Sequence, residues 1–213
     1  MTAAEIEAAV ARAGLDPLGL EVASRFESYL ELLLKWNARL NLTAIRDPEE
    51  ILERHFVECI FAACQLPTGI RTLLDFGSGG GFPGVPIALC RPEIQVTLGE
   101  SQSKKAAFLR EIVRTLAVSN AEVYNGRVEA LSQTFDAVTL RAVDKMHEAC
   151  RAAVDLAPGG HLVLFLTEET AQSVFSELNR IAWAAPILLP ASAQRLLLIG
   201  RVPVDVPRGT RAD

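Results

Sequence analysis

Between Leu73 and Leu89 the sequence reads LLDFGSGGGFPGVPIAL, in which an apolar run with an acid leads into Gly77, Gly79, Gly80, Gly81 and Gly84 and a second apolar run leads out. Glycine is the residue most costly to order, so such a cluster marks backbone that must bend unusually or approach a ligand closely. A strand, a glycine loop and a helix in that order put the loop at the carboxyl edge of a sheet. A plain turn needs one or two glycines, not this density. The segment GGGFPG fits G-x-G-x-x-G, and Glu100 follows at the spacing of a ribose-binding acid, so a dinucleotide site is one reading.

Two features point elsewhere. Asp75 stands in register D-x-G-x-G-x-G with Gly77, Gly79 and Gly81, where its charge would repel a pyrophosphate. Pro83 and Pro86 remove N–H donors from the first turn of the helix, donors on which a pyrophosphate site relies. S-adenosylmethionine, with a positive sulfonium, needs neither, so the loop favours an adenosine-plus-methionine cofactor. Glu100, at the end of the second strand, is then placed to accept both ribose hydroxyls, because an ionised carboxylate only accepts. In GRVEAL, after the third strand, Val128 is placed to pack on the adenine, with its N–H or the Glu129 carboxylate at the ring's polar edge.

The rest of the chain gives this loop its setting. Residues 1–69 read as a helical extension packed on the core, residues 70–203 as an α/β domain, and residues 204–213 as a loose polar tail. Thr2 and Glu5 suit a capping box; Val22, Phe26, Tyr29, Leu33, Trp36 and Leu40 form the apolar face of a long helix. Asp47, Pro48 and Glu50 open a third helix. From residue 70 strands alternate with helices, including one capped by Ser103, which implies a mostly parallel sheet covered on both faces. WAAPILLP and QRLLLIGRV close it as an antiparallel pair, giving a Rossmann-like seven-stranded sheet.

Composition narrows the setting further. The opening residues mix acids and alanines and lack the basic start of a signal peptide, and no apolar stretch reaches the ~20 residues that span a bilayer. Cys59, Cys64, Cys90 and Cys150 show no CxxC spacing and read as buried thiols of a cytoplasmic protein. His55, His147 and His161 are scattered, so no metal site is expected. A net charge of −5 argues against indiscriminate binding of nucleic acid while leaving room for a local basic face.

In several ordered blocks, from WNARLNLTAIRDPEEILERHF through the glycine loop, ESQSKKAAFLREIV and NGRVEAL to FDAVTLRAV, the chain resembles the RsmG (GidB) family of bacterial methyltransferases. The blocks cover roughly residues 36 to 143. The resemblance implies transfer of a methyl group from S-adenosylmethionine to N7 of a guanosine in 16S ribosomal RNA. It also implies cofactor contacts at Gly77, Phe82, Val128, Glu129 and Arg141, with Phe82 standing where the family more often has leucine. Where the family usually carries Lys-Gly after the fifth strand, this chain has Thr167 and Glu168, and its last strand ends LLLIGRV without lysines.

Methylation at N7 removes no proton, so no general base is needed, and catalysis rests on proximity and in-line alignment. Arg141, ending the fourth strand, is placed either to fix the cofactor or to bond guanine O6. Candidate RNA contacts are Arg39, Arg46, Arg54 and His55 in the extension and Lys104 and Lys105 on the helix after the second strand. The expected partner is 16S rRNA within a small ribosomal subunit or its precursor, with the protein a monomer. Two rivals stay open: a nicotinamide-dependent oxidoreductase, and an RNA-binding assembly factor that keeps the fold without turnover.

Overall fold

A computed structural model describes residues 1–143 and 145–204, so the expected tail at 205–213 lies outside the described residues. The α/β region is built on strands β1 (Thr72–Phe76), β2 (Gln95–Glu100), β3 (Ala121–Asn125), β4 (Ala137–Arg141) and β5 (His161–Thr167). Three shorter or antiparallel strands follow: β6 (Ala182–Trp183), β7 (Ile187–Leu188) and β8 (Arg195–Arg201). The sheet order is β3-β2-β1-β4-β5-β8-β6, with β7 also paired to β8. β1 to β5 run parallel, and β8 lies antiparallel to β5 with His161 opposite Arg201 and Thr167 opposite Arg195. The expected single strand in WAAPILLP is two short ones, because Ala184 to Pro186 interrupt it and proline offers no ladder donor. Among the described residues the sheet therefore has eight strands.

The central strands β1, β4 and β5 are buried on both faces, unlike the edge strand β3, and helices cover the sheet: α5 (Gly84–Cys90), α6 (Ser103–Thr115), α7 (Met146–Leu156) and α8 (Glu168–Glu177). Strand order reverses between β2-β1 and β1-β4, and the carboxyl ends on either side of that switch open into a crevice. In the N-terminal third, α1 (Ala3–Arg12) opens with the expected Thr2–Glu5 capping box, and α2 (Leu20–Leu40) buries Phe26, Tyr29 and Leu33. A last helical run joins α3 (Pro48–Ile51), capped by Asp47, to a widened π-helical turn (Leu52–Val57) and α4 (Glu58–Gln65). These helices share one apolar cluster with the sheet: Phe26, Phe56 and Ile60 pack with Leu73, Val85 and Leu109.

Some local expectations change. Ser103 is the first residue of α6, whose N-cap is Gln102 without a side-chain bond. Cys59 and Cys150 are buried, but Cys64 is exposed and Cys90 only partly covered, since they lie at the outer margins of α4 and α5. Thr167 and Glu168, which depart from the family pattern, have a local job: Thr167 caps α8 by accepting from the Thr170 N–H, and Glu168 and Glu169 occupy the first turn where the helix dipole favours acids.

Candidate cofactor and acceptor site

The glycine loop holds itself shut. The N–H groups of Gly77 and Ser78 donate to the Gly99 carbonyl at 3.0 and 2.9 Å, and those of Gly81 and Phe82 to the Ser78 carbonyl at 2.6 and 3.2 Å. The Gly79 N–H donates to Glu100 Oε2 at 3.0 Å and the Gly84 N–H to Asp75 Oδ2 at 3.1 Å. Gly77, Gly79 and Gly81 have φ of 75, 53 and 92°, the left-handed region that glycine enters without strain. Glycine is required at Gly81 for a second reason: a Cβ there would lie 2.5 Å from the Tyr29 hydroxyl. That hydroxyl donates to the Gly80 carbonyl at 2.6 Å, and the Tyr29 ring stacks on Phe82, so α2 of the extension fixes the loop from behind.

Asp75 is 1% exposed and does not reach the crevice. Its two carboxylate oxygens are taken up by Gly84 and by the Thr139 hydroxyl, at 2.9 Å. Burial pushes its pKa from 3.8 up to about 6, against the hydrogen bonds from Ser78, Thr139 and Gly84 and the Arg141 charge. The expected cofactor contact is thus a buried brace between β1, β4 and the head of α5. Gly81 is likewise behind the wall, whereas Gly77, Gly79 and Phe82 line the crevice with Ser78 and Gly80.

The crevice has a volume of about 1100 Å³ and runs along the carboxyl ends of the strands. Toward β2 and β3 it is bounded by Glu100, Gln102, Lys105 and the Gly126–Glu129 segment. Glu100 accepts from Gly79 with one oxygen and from the Gln102 N–H with the other at 2.7 Å, which fixes its orientation and leaves lone pairs toward the crevice. Gly99 lets Val128 close against β2, since a Cβ on Gly99 would fall 2.2 Å from Val128 Cγ1. Glu129 is exposed and pairs with Arg127 at 3.1 Å. Lined this way, the β2–β3 end fits an adenosine: an acceptor carboxylate ending β2, an apolar contact after β3, and loop N–H groups that, Gly80 apart, are already occupied within the protein.

Toward β4 the wall is the Asn41–Ile45 loop, Arg54, His55 and Phe82 with Arg141, Ala142, Val143 and Lys145. Asn37, buried near the end of α2, holds this loop by accepting from the Thr43 N–H and donating to the Thr43 carbonyl, both at 3.0 Å. His55 stacks on Phe82 with ring centroids 4.6 Å apart, and its Nε2 lies 2.7 Å from Thr43 Oγ1. Burial and the Arg141 and Arg54 charges pull His55 from 6.5 down to about 3, so it is neutral near pH 7 and brings no charge to a phosphate.

Arg141 does reach the crevice, but its guanidinium is turned into the extension. It donates to Glu58 Oε2 at 2.9 Å, to Cys59 Sγ at 2.9 Å and to the Arg54 carbonyl, lies 3.1 Å from His55 Nδ1, and covers the Phe165 ring. Glu58, whose side chain is 1% exposed, binds Arg195 with its other oxygen at 2.6 Å. Neither guanidinium is left as an unpaired charge beside the crevice.

The remaining RNA candidates scatter. Arg39 and Arg46 are exposed and do not line the crevice, Arg54 pairs with Glu50 at 2.6 Å, Lys104 is exposed outside the crevice and Lys105 lines it. Sequence reasoning passed over Thr43, Arg127 and Lys145. The clue to Thr43 was Asn37 and Asn41 around ARL, a polar helix end followed by an apolar loop.

Sheet order, switch-point crevice and self-bonded glycine loop define the Rossmann-like fold of S-adenosylmethionine-dependent methyltransferases. Solved structures agree on the fold: cofactor-bound Rv0187 from MTB has a TM-score of 0.61 at 18% identity, covering 85% of this chain and 90% of that one. An O-methyltransferase from Bacillus cereus in complex with SAH has a TM-score of 0.58 at 18% identity, covering 82% and 90%. Within this class the chain belongs to the GidB family, rRNA small subunit methyltransferase G, which matches residues 22–183. Relatives named ribosomal RNA small subunit methyltransferase G include one from Neisseria meningitidis serogroup C, 43% identical over 62% of this chain. Another, from Xanthomonas campestris pv. campestris strain B100, is 42% identical over 75% of this chain and 73% of its own length. The match spans 65% of the length of the Neisseria relative.

Proposed function

We propose that this protein methylates N7 of a guanosine in 16S ribosomal RNA, using S-adenosylmethionine, and that it acts in the cytoplasm as a monomer on a small ribosomal subunit or its precursor. The observation that carries the reading is the glycine loop, in which the N–H groups of Gly77, Ser78, Gly79, Gly81, Phe82 and Gly84 are bonded within the protein, because it leaves few donors to hold a pyrophosphate. Family membership supports the substrate.

When bound, S-adenosylmethionine supplies an electrophilic methyl carbon on a positive sulfur, which the N7 lone pair takes with no proton leaving the ring. The chain's own work is placement. Glu100 accepts the ribose hydroxyls, Val128 packs on the adenine, and Gly77, Gly79 and Phe82 form the floor. Glu58 neutralises Arg141, so a second positive charge at the β4 end is tolerated. Arg141 itself positions His55 and the extension in this structure, in place of the expected bond to guanine O6. Among Arg39, Arg46, Arg54, His55, Lys104 and Lys105, Lys105 is best placed for phosphate, joined by Arg127 and Lys145.

Calorimetric titration with S-adenosylmethionine and with NAD tests the reading at the cofactor, and retention of labelled methyl on small-subunit RNA tests it at the acceptor. The expected result is binding of the first ligand only and label on the RNA; NAD binding would support the oxidoreductase instead. Cofactor binding without label would support an assembly factor, but the Thr167–Glu168 departure that invites that rival is accounted for by the α8 cap.

A further inference from the structure

Two helices reach the crevice from opposite directions and meet outside it. α2 runs into the Asn41–Ile45 loop and α6 starts after Gln102, so α2 ends and α6 begins at the crevice. The two helices touch, and the Trp36 and Phe108 rings pack between them with centroids 5.7 Å apart. Residues three and four apart share a helix face. Arg39 therefore stands beside Trp36 on the turn nearer the crevice, and Lys104 beside Phe108 on the corresponding turn of α6. Lys35 shares a stripe with Arg39, one turn further out, and Lys105 follows Lys104 into the crevice wall. Lys35, Arg39 and Lys104 are exposed. A row of cations thus leads from the mouth out over the α2–α6 seam.

This row does little for the fold. Among the described residues Lys35, Arg39, Lys104 and Lys105 form no ion pair, whereas Arg127 and Lys145 at the mouth pair with Glu129 and Glu148. Like charges four apart, as at Lys35 and Arg39, repel each other. Lysines in the first turn of α6, which holds no acid, oppose its dipole. In a chain of net charge −5, such a local excess of cations is relieved by an anion lying across it. We propose that the α2–α6 seam binds phosphates of the RNA that flanks the target guanosine, an inference that rests on the ribosomal RNA substrate proposed above. A backbone leaving the crevice from the target nucleotide meets Lys105 first, then Lys104 and Arg39, then Lys35. Such contacts fix the position of the RNA without reading its bases.

The test uses the full chain and small subunits lacking the modification, with binding followed across salt concentrations. Lys35→Ala, Arg39→Ala and Lys104→Ala together are expected to lower the salt slope by about two to three and to raise KM for the subunits. The kcat and the affinity for S-adenosylmethionine are expected to stay as they are, which also shows that the variant is folded. The charge-keeping set Lys35→Arg, Arg39→Lys and Lys104→Arg is expected to restore the slope. Arg71→Ala with Arg201→Ala removes charge at the opposite edge of the sheet, where β1 and β5 begin, and is expected to leave the slope alone. A comparable fall in that control would mean that the seam acts only through net charge, and overturns the proposal. So does an unchanged slope in the triple variant, even with weaker binding, because no phosphate is then held there. A slope that falls as expected while the unmodified protein transfers no methyl group supports the seam and overturns the N7 reading. Failure of the unmodified protein to bind small subunits overturns both.

Discussion

Asp75 and His55 carry opposite electrostatic burdens within the same few layers of structure. Burial raises Asp75 from 3.8 to about 6, so the folded state takes its proton first and gains stability as pH falls between those values, losing it again as pH rises through 6. His55 is lowered from 6.5 to about 3, so the unfolded chain takes its proton first and stability falls over that window. Asp75→Asn removes the first effect alone. The stability gap between unmodified protein and Asp75→Asn, followed by urea unfolding, is therefore expected to widen as pH falls from 6 toward 4, with a slope of up to about 1.4 kcal/mol per pH unit. A gap that narrows would place the Asp75 charge on the stabilising side. At Gly99 the limiting quantity is space. Gly99→Ala puts a methyl 2.2 Å from Val128 Cγ1 and displaces the residue proposed to cover the adenine. Cofactor affinity by calorimetry is expected to fall at least about tenfold, with a stability loss of about 1–3 kcal/mol.

Among the elements, the α3–α4 run does the most to join the extension to the sheet. Its π-helical turn presents Arg54 and His55, and Glu58 on the next turn binds both Arg141 of β4 and Arg195 of β8. Glu58→Gln leaves two guanidiniums facing a neutral amide, and removing one partner of a buried ion pair costs about 3 kcal/mol. Urea unfolding at neutral pH measures that loss, and an unchanged midpoint would mean that solvent already screens the pair. Tyr29→Phe is milder: it keeps the ring stack on Phe82 but strands the Gly80 carbonyl, for about 1–2 kcal/mol and weaker cofactor binding. The elements themselves were legible. The capping box at Thr2, the Asp47–Pro48 start and the strand–helix alternation all follow short-range rules, and all form where the pattern places them. What sequence could not give was direction. Asp75 and Arg141 sit at the strand ends where they were expected, yet Asp75 points into the core and Arg141 into the extension, because their partners, Thr139 and Glu58, lie 64 and 83 residues away.

At the scale of the whole molecule, the proposed RNA substrate would meet an acidic chain of net charge −5 through a small basic rim. Lys105, Arg127 and Lys145 line the crevice mouth, and removing any one phosphate partner is expected to lower the salt slope of RNA binding by about one. Lys105→Ala and Arg127→Ala, titrated against small subunits at several salt concentrations, check this; an unchanged slope would move the RNA path off the mouth. That rim was only half legible, since Lys105 was read from its place after β2 while Lys145 depends on how the chain leaves β4. Methyl transfer to N7 is probed without intermediaries by strand cleavage at N7-methylguanine in small-subunit RNA after incubation with the protein and S-adenosylmethionine. New cleavage is expected at a single guanosine, and none without the cofactor. Methyl label found instead on a ribose or an exocyclic amine, or no label despite cofactor binding, would contradict N7 transfer.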